Sequence, residues 1–324
     1  RSSSKIRYKV QQIKAKKILL NVLKFIVSFG GLVYIFCKIP FSNIYEHWTT
    51  TALPWIGLIL ACTIFSMTIQ ANRWRGLLLD EGKKIKFRTF YAYIAIGYFF
   101  NNLLPSGFGG DAVKTIAFGK RFGNMANSVA AIVISRVMGL LSMFLCFFIA
   151  LPFVIARYQI PTIYTSVVCT VAILSILIIV GGLFSDKIKL PITISNKIPF
   201  LLKLQNAFSI YRNHKKAFAF SGIDSIWLQL SSVAIHYAYF QAVDVPIDLA
   251  TITVFMTITI TVAMLPISIN GIGIREGVNV SLFTGLLGIP ADTVLAAALI
   301  GYIPMFFQTL QGAIILIGTK LPKS

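Results

Sequence analysis

Asn101 to Lys114 reads Asn-Asn-Leu-Leu-Pro-Ser-Gly-Phe-Gly-Gly-Asp-Ala-Val-Lys and interrupts otherwise apolar sequence. A counterpart lies much later, from Leu265 to Glu276: Leu-Pro-Ile-Ser-Ile-Asn-Gly-Ile-Gly-Ile-Arg-Glu. Each places a Leu-Pro and a glycine-rich turn inside apolar sequence and sets charge just beyond the glycines. Proline removes a backbone donor, and glycine permits a sharp change of direction. At membrane depth such a break is tolerated only where protein or a wet cavity satisfies the freed backbone groups. Two breaks, one in each half of a chain, point to a transport site.

Working outward, 56% of the 324 residues are hydrophobic, 12% are charged, and the mean hydropathy is +0.79. That is the composition of an integral membrane protein. Several apolar stretches approach the roughly 20 residues of a spanning helix, and the alternation of an outer-membrane barrel is missing. The net charge of +20 does not indicate nucleic acid, because the basic residues cluster between apolar segments. They fit the positive-inside rule and contact with anionic headgroups. Cys37, Cys62, Cys146 and Cys169 are scattered without metal-site spacing and are expected to be packed free thiols. No cleavable signal peptide is read at the N-terminus.

Charge accounting then orders the chain. Residues 1–17, with seven Lys and Arg and no acid, form a cytoplasmic segment. The first membrane half is 18–185. Its spans are Ile18–Cys37, Ala52–Gln70, Asn127–Ala156 and Thr162–Phe184. The basic cluster after Gln70 includes Arg73-Trp74-Arg75, read as an interfacial anchor. Were Thr89–Gly119 a full crossing, Lys120 and Arg121 would face outside and the next span would run the wrong way. A re-entrant hairpin over 89–121, opening to the cytoplasm, removes both conflicts.

Residues 186–220 form a basic amphipathic connector, and 221–324 form the second half. Its spans are Ser221–Val243 and Thr293–Gly318, with a second re-entrant hairpin over 249–290 opening outward. The predicted architecture is therefore an all-α polytopic membrane protein. It has about six full spans and two re-entrant helical hairpins in an inverted repeat, with both termini cytoplasmic.

Candidate binding residues gather at the breaks. At the first they are Asn101, Asn102, Ser106, Gly109, Gly110, Asp111 and Lys114, joined by Arg136 within the next span. At the second they are Asn270, Gly271, Gly273, Arg275 and Glu276. Two readings stay open for the first cluster. Asp111 and Lys114 at i,i+3 make a local ion pair, or a helix N-terminus and Lys114 together receive a phosphate. Arg136 either pairs with Asp111 or offers its fork to a lipid phosphate. Arg275 is the better phosphate candidate, Glu276 the better proton or ammonium site, and mutual neutralisation of the hairpins is the alternative. Asp224, Gln229, His236 and Gln308 are weaker candidates. Catalytic signatures such as a P-loop, Gly-x-Ser-x-Gly, His-Glu-x-x-His or Cys-x-x-Cys are absent from the sequence, so no enzyme activity, metal or cofactor is expected.

Four elements also carry a family resemblance: Arg73-Trp74, Asn101 to Asp111, Ser135-Arg136, and Asn-Gly-Ile-Gly-Ile-Arg-Glu-Gly from Asn270 to Gly277. Together they resemble the flippase-like transmembrane region of lysylphosphatidylglycerol synthases, over nearly the whole chain. The resemblance implies about eight membrane segments and the movement of lipids between leaflets. In bifunctional members this region precedes a soluble aminoacyl-transfer domain. None is read in residues 1–324, so synthase activity is not expected of them.

The resulting expectation is a flippase in the cell membrane for a polar-headgroup lipid, whether a phospholipid, an aminoacyl-phospholipid or a polyprenyl-phosphate-linked sugar. The alternatives are a transporter for a small soluble anion and a non-catalytic partner of a lipid-modifying enzyme or glycosyltransferase. Expected partners are membrane lipids with anionic or zwitterionic headgroups, not nucleic acid. Oligomerisation is left open.

Overall fold

A computed structural model describes residues 52–103, 109–123, 125–187, 199–265 and 271–318, with backbone alone at 186 and 199–204. The expected segments 1–17 and Ile18–Cys37, Leu104-Pro105, Pro266, Ser106 and Asn270 lie outside the described residues.

The described elements are helical, with no strand among them. In order they are α1 (Ala52–Leu77), α2 (Leu79–Lys84), α3 (Phe87–Leu103), α4 (Gly109–Phe122), α5 (Met125–Ile155) and α6 (Thr162–Leu183). After a 3-10 turn at Ser185–Lys187 come α7 (Pro199–Asn213), α8 (Lys215–Gln241), α9 (Leu249–Ala263) and α10 (Ile274–Asn279). A π turn (Val280–Thr284) and a short turn (Gly285–Leu287) extend α10, and α11 (Ala291–Ile300) and α12 (Tyr302–Gly318) complete the series. Five segments are long and apolar enough to cross a membrane: α1, α5, α6, α8, and α11 with α12 taken together. Apolar side chains such as Ile173, Leu174, Leu177, Phe153 and Trp227 stand exposed on these helices. In water that would be costly; against acyl chains it is the expected surface. The chain is an all-α, multi-pass membrane protein.

The broken segments are shorter. α3, α4 and α9 have 17, 14 and 15 residues, or roughly 21–25 Å at 1.5 Å per residue, below the ~30 Å apolar core of a bilayer. Contacts between α3 and α4 run in opposite order along the two helices. Asn101 meets Gly110, Gly97 meets Gly110 and Lys114, and Phe90 meets Phe118. The pair is an antiparallel hairpin. Ala263 meets Gly271, Thr259 meets Asn279, and Phe255 meets Phe283, so α9 and α10 form a second one.

The hairpins open at opposite ends of the bundle. The ends of the first lie beside the end of α1 and the start of α5, where Gly82 packs on Arg75 and Gly119 on Met125. The second begins beside the end of α5, where Arg157 pairs with Asp248 at 3.4 Å. Each hairpin has its own apolar core. One holds Trp74, Phe90, Tyr93 and Phe118; the other holds Phe240, Phe255, Leu282 and Phe283. Aromatic rings in both meet edge-on or tilted, the favourable arrangements for ring quadrupoles.

Three details depart from the sequence reading. First, α1 continues seven residues past Gln70 to Leu77, and Arg73 and Trp74 are buried rather than anchored at the interface. The reason is local: Trp74 packs against Phe90, Tyr93 and Phe118, and Arg73 Nη1 donates to Ser225 Oγ at 2.7 Å. Second, the span expected over Thr293–Gly318 is two helices meeting at Gly301. A side chain at Gly301 would press on the Tyr239 ring, and Pro304 lies in the first turn of α12. Third, residues 215–220 of the expected connector belong to α8, while Tyr211 of α7 is buried and its hydroxyl donates to the Leu77 carbonyl at 2.5 Å.

The first hairpin closes through glycine. A Cβ at Gly110 would collide with the carbonyl of Gly97 and the backbone of Asn101, whereas one at Gly57 would meet nothing within 4 Å. Gly110→Ala is expected to force the hairpin apart and cost about 1–3 kcal/mol. Fluorimetric melting in detergent should show a midpoint lower by roughly 3 °C or more, while Gly57→Ala stays within about 1 °C.

Candidate functional site

A cavity of about 650 Å³ lies between the two hairpins. Helical periodicity builds its walls. On α1, Thr63, Ser66, Gln70 and Arg73 recur every three or four residues, so they share one face. On α8, Ser225, Gln229, Ser232, His236 and Tyr239 do the same. α1 and α8 pack antiparallel, with Ser66 Oγ donating to Ser231 Oγ at 2.9 Å, which sets the two polar stripes side by side. Asn101, Asn102, Asp111 and Lys114 close the cavity from the first hairpin, and Arg136 closes it from α5. Ile260, Met264 and Arg275 come from the second hairpin, and Gly301, Pro304, Met305 and Gln308 from α11–α12.

At the first hairpin the turn is secured by side chains. Asn101 Oδ1 accepts from the Gly110 amide at 2.7 Å, satisfying one of the donors left free at the start of α4. Asn102 Nδ2 donates to Thr309 Oγ1 at 2.8 Å and the Met305 carbonyl at 3.2 Å, tying this hairpin to α12. Gly109 and Gly110 form the first turn of α4. Asp111 Oδ1 accepts from Lys114 Nζ at 2.6 Å, and its Oδ2 accepts from Arg136 Nε at 2.5 Å. Arg136 Nη2 completes a bidentate grip on the same oxygen. The carboxylate therefore serves both cations. The Asp111 and Lys114 side chains are 10% and 11% exposed, against 43% for Arg136, so the cavity reaches solvent on the Arg136 side. Lys114 also stands over the Trp74 ring, 5.7 Å from its centroid.

The second hairpin divides its charges. Gly271 and Gly273 adopt φ of +77° and +83°, a region that favours glycine. Glu276, 3% exposed, turns away from the cavity. Its carboxylate accepts from the Gly273 amide at 2.7 Å and from the Tyr302 hydroxyl at 2.8 Å, which fastens the turn and ties it to α12. Arg275 turns into the cavity, and its Nε is buried with no hydrogen-bond partner among the described residues. The Nε of Arg73, a residue 8% exposed, is also without one. His236 Nδ1 is 2.7 Å from the Ser232 carbonyl, a bond within its own helix.

Of the thirteen candidate residues, the structure brings Asn101, Asn102, Asp111, Lys114, Arg136 and Arg275 to one cavity. Gly109, Gly110, Gly271, Gly273 and Glu276 shape the turns behind it, and Ser106 and Asn270 lie outside the described residues. Arg73 is the residue whose role the sequence reading missed. Its signal was the stripe Thr63, Ser66, Gln70, Arg73 at helical spacing. Among the described residues no three His, Cys, Asp or Glu side chains are grouped to hold a metal ion.

The profile of the family described as Lysylphosphatidylglycerol synthase TM region matches residues 21–312, and the chain belongs to that family. The family associates the chain with membrane lipids. No curated protein matches it.

Asp111→Asn would leave Lys114 and Arg136 facing one another without a counter-charge. A loss on the order of 3 kcal/mol is expected, because an uncompensated buried charge remains. Adding Lys114→Met should recover part of that loss. Denaturant titration of the purified protein in micelles measures both.

Proposed function

We propose that this chain moves a polar-headgroup lipid between the leaflets of the cell membrane, with the headgroup passing through the cavity while the tails stay in lipid. The Arg275 side chain, a cation that lines a polar cavity and forms no ion pair with a described carboxylate, carries this reading. A guanidinium so placed favours a transient anionic ligand, which it can hold through charge-assisted hydrogen bonds.

Basic residues crowd the end of the bundle where the first hairpin opens: Arg75, Lys83, Lys84, Lys120, Arg121, Arg212, Lys215 and Lys216. Asp244, Asp248 and Asp292 lie at the other end. The positive-inside rule makes the basic end cytoplasmic. The two hairpins are then re-entrant, each too short to cross, one entered from each side. They and their neighbouring spans correspond as inverted halves, the arrangement that lets a central site be reached alternately. A cavity of this size takes a headgroup and leaves the tails outside. Exposed apolar faces on α6 and α8 give those tails a surface to follow. No nucleotide-binding motif is read, so movement is downhill or coupled to an ion.

Reconstitution of the full chain into vesicles with fluorescent phospholipid in both leaflets tests this, using dithionite quenching from outside. Wild type should raise the quenched fraction above the outer-leaflet share. Arg275→Ala should slow the exchange roughly ten-fold, the loss of one charge-assisted hydrogen bond, with melting behaviour unchanged. Equal rates for wild type and Arg275→Ala would remove Arg275 from the path.

A further inference from the structure

The balance of charge inside the cavity bears on which headgroup it takes. Its described lining contains four cations (Arg73, Lys114, Arg136 and Arg275) and one carboxylate, Asp111. That carboxylate is held by Lys114 and by both nitrogens of the Arg136 fork. An ammonium group entering the cavity would meet no uncommitted acid among the described lining residues.

The whole chain offers few alternatives, with only ten Asp and Glu. Four of them lie on helices of the described membrane bundle: Asp111, Asp224, Glu276, and Asp292 in the first turn of α11, outside the cavity wall. Glu276 is buried behind the second turn on Tyr302 and Gly273. Asp224 accepts from Asn72 Nδ2 at 3.1 Å and is not part of the cavity wall. Residues 104–108 and 266–270 contain no acid.

The rest of the polar wall is neutral and rich in hydrogen-bonding groups, including Ser66, Gln70, Gln229, Ser232 and Gln308. Amides and hydroxyls both donate and accept, which suits a headgroup bearing several hydroxyls. Two guanidinium Nε atoms, on Arg73 and Arg275, are buried and unpartnered. Arg73 and Arg275 come from helices on opposite halves of the chain, and both side chains line the cavity.

We infer that the cavity selects a net-anionic phosphate headgroup carrying uncharged hydroxyl groups, and rejects headgroups made cationic by an added amine. The inference rests on the lipid-moving reading above. It sets the headgroup preference of this chain against the aminoacylated lipid in its family's name. The electrostatic reason is simple. In a partly desolvated cavity with excess positive charge, a lysyl headgroup adds two ammonium groups where no free carboxylate can receive them.

The same vesicle system tests it with three probes: labelled phosphatidylglycerol, labelled lysylphosphatidylglycerol, and inorganic phosphate loaded inside. Wild type should exchange phosphatidylglycerol at least about ten-fold faster than the lysyl form, the discrimination one unpaired buried charge produces. Arg275→Glu, which installs a free carboxylate, should narrow that ratio or reverse it, and Arg275→Lys should largely keep it. Size-exclusion profiles and melting curves confirm that the variants are folded. Exchange of the lysyl lipid as fast as phosphatidylglycerol would overturn the headgroup inference and leave lipid movement standing. Phosphate efflux with neither lipid exchanged would overturn lipid movement itself, and the headgroup inference with it.

Discussion

Helices that end inside a packed bundle must find internal partners for the amides and carbonyls they free, and this structure is organised by that constraint. The partners are particular side chains. Asn101 takes the Gly110 amide, and Glu276 takes the Gly273 amide. In each hairpin a residue beside the turn accepts from the first residues of the returning helix. Neither group is spare: each occupies a position where water would otherwise be required.

Burying such groups forces a second accounting, in charge. Asp111 is tolerable at 10% side-chain exposure because two cations share it, and Lys114 is tolerable because Asp111 and the face of Trp74 hold it. The result is a neutralising cluster with one cation to spare. Arg73 and Arg275 are not built into that cluster. Arg73 makes a hydrogen bond to Ser225, and neither residue forms an ion pair with a described carboxylate. The cavity thus separates cations that hold the fold from cations free to hold something else. Glu276 shows the same division from the acidic side, since its burial with Tyr302 commits it to the turn.

Much of this was legible in the sequence, for identifiable reasons. Proline and glycine inside apolar runs marked both hairpins, because few other residues permit those turns. Lys120-Arg121 pointed to a chain that returns toward the end it came from, and the antiparallel packing of α3 on α4 has that form. The Asp111 pairing with Lys114 and Arg136 stood among the alternatives. What the sequence hid was direction around a helix at the end of a span. Arg73-Trp74-Arg75 has the composition of an interfacial anchor, and only the packing of Trp74 on Phe90 and Phe118 turns Arg73 inward. The opposite orientations of Arg275 and Glu276 follow from their adjacency. Which one faced the cavity depended on where Tyr302 stood, a long-range fact.

The helix that carries Tyr302 joins the two halves of the site. Near its start, α12 holds the second hairpin through Tyr302 and Glu276. About one and two turns later, Met305 and Thr309 hold the first hairpin through Asn102. Beyond them Gly312 lies so close to the Ala95 carbonyl that a Cβ there would collide with it. Such backbone contact, made by small residues, is how helices pack tightly where lipid supplies no hydrophobic drive. Both hairpins are therefore anchored to one rod, and Gly301 and Pro304 stand at the end where that rod can bend. If the hairpins change position in turn, α12 must either break one set of these hydrogen bonds or move with one hairpin. Its polar contacts to each hairpin are few and its glycine contact is close, so the smaller cost lies in moving with the first hairpin and working the Tyr302–Glu276 junction. That junction is a single hydrogen bond to a buried carboxylate.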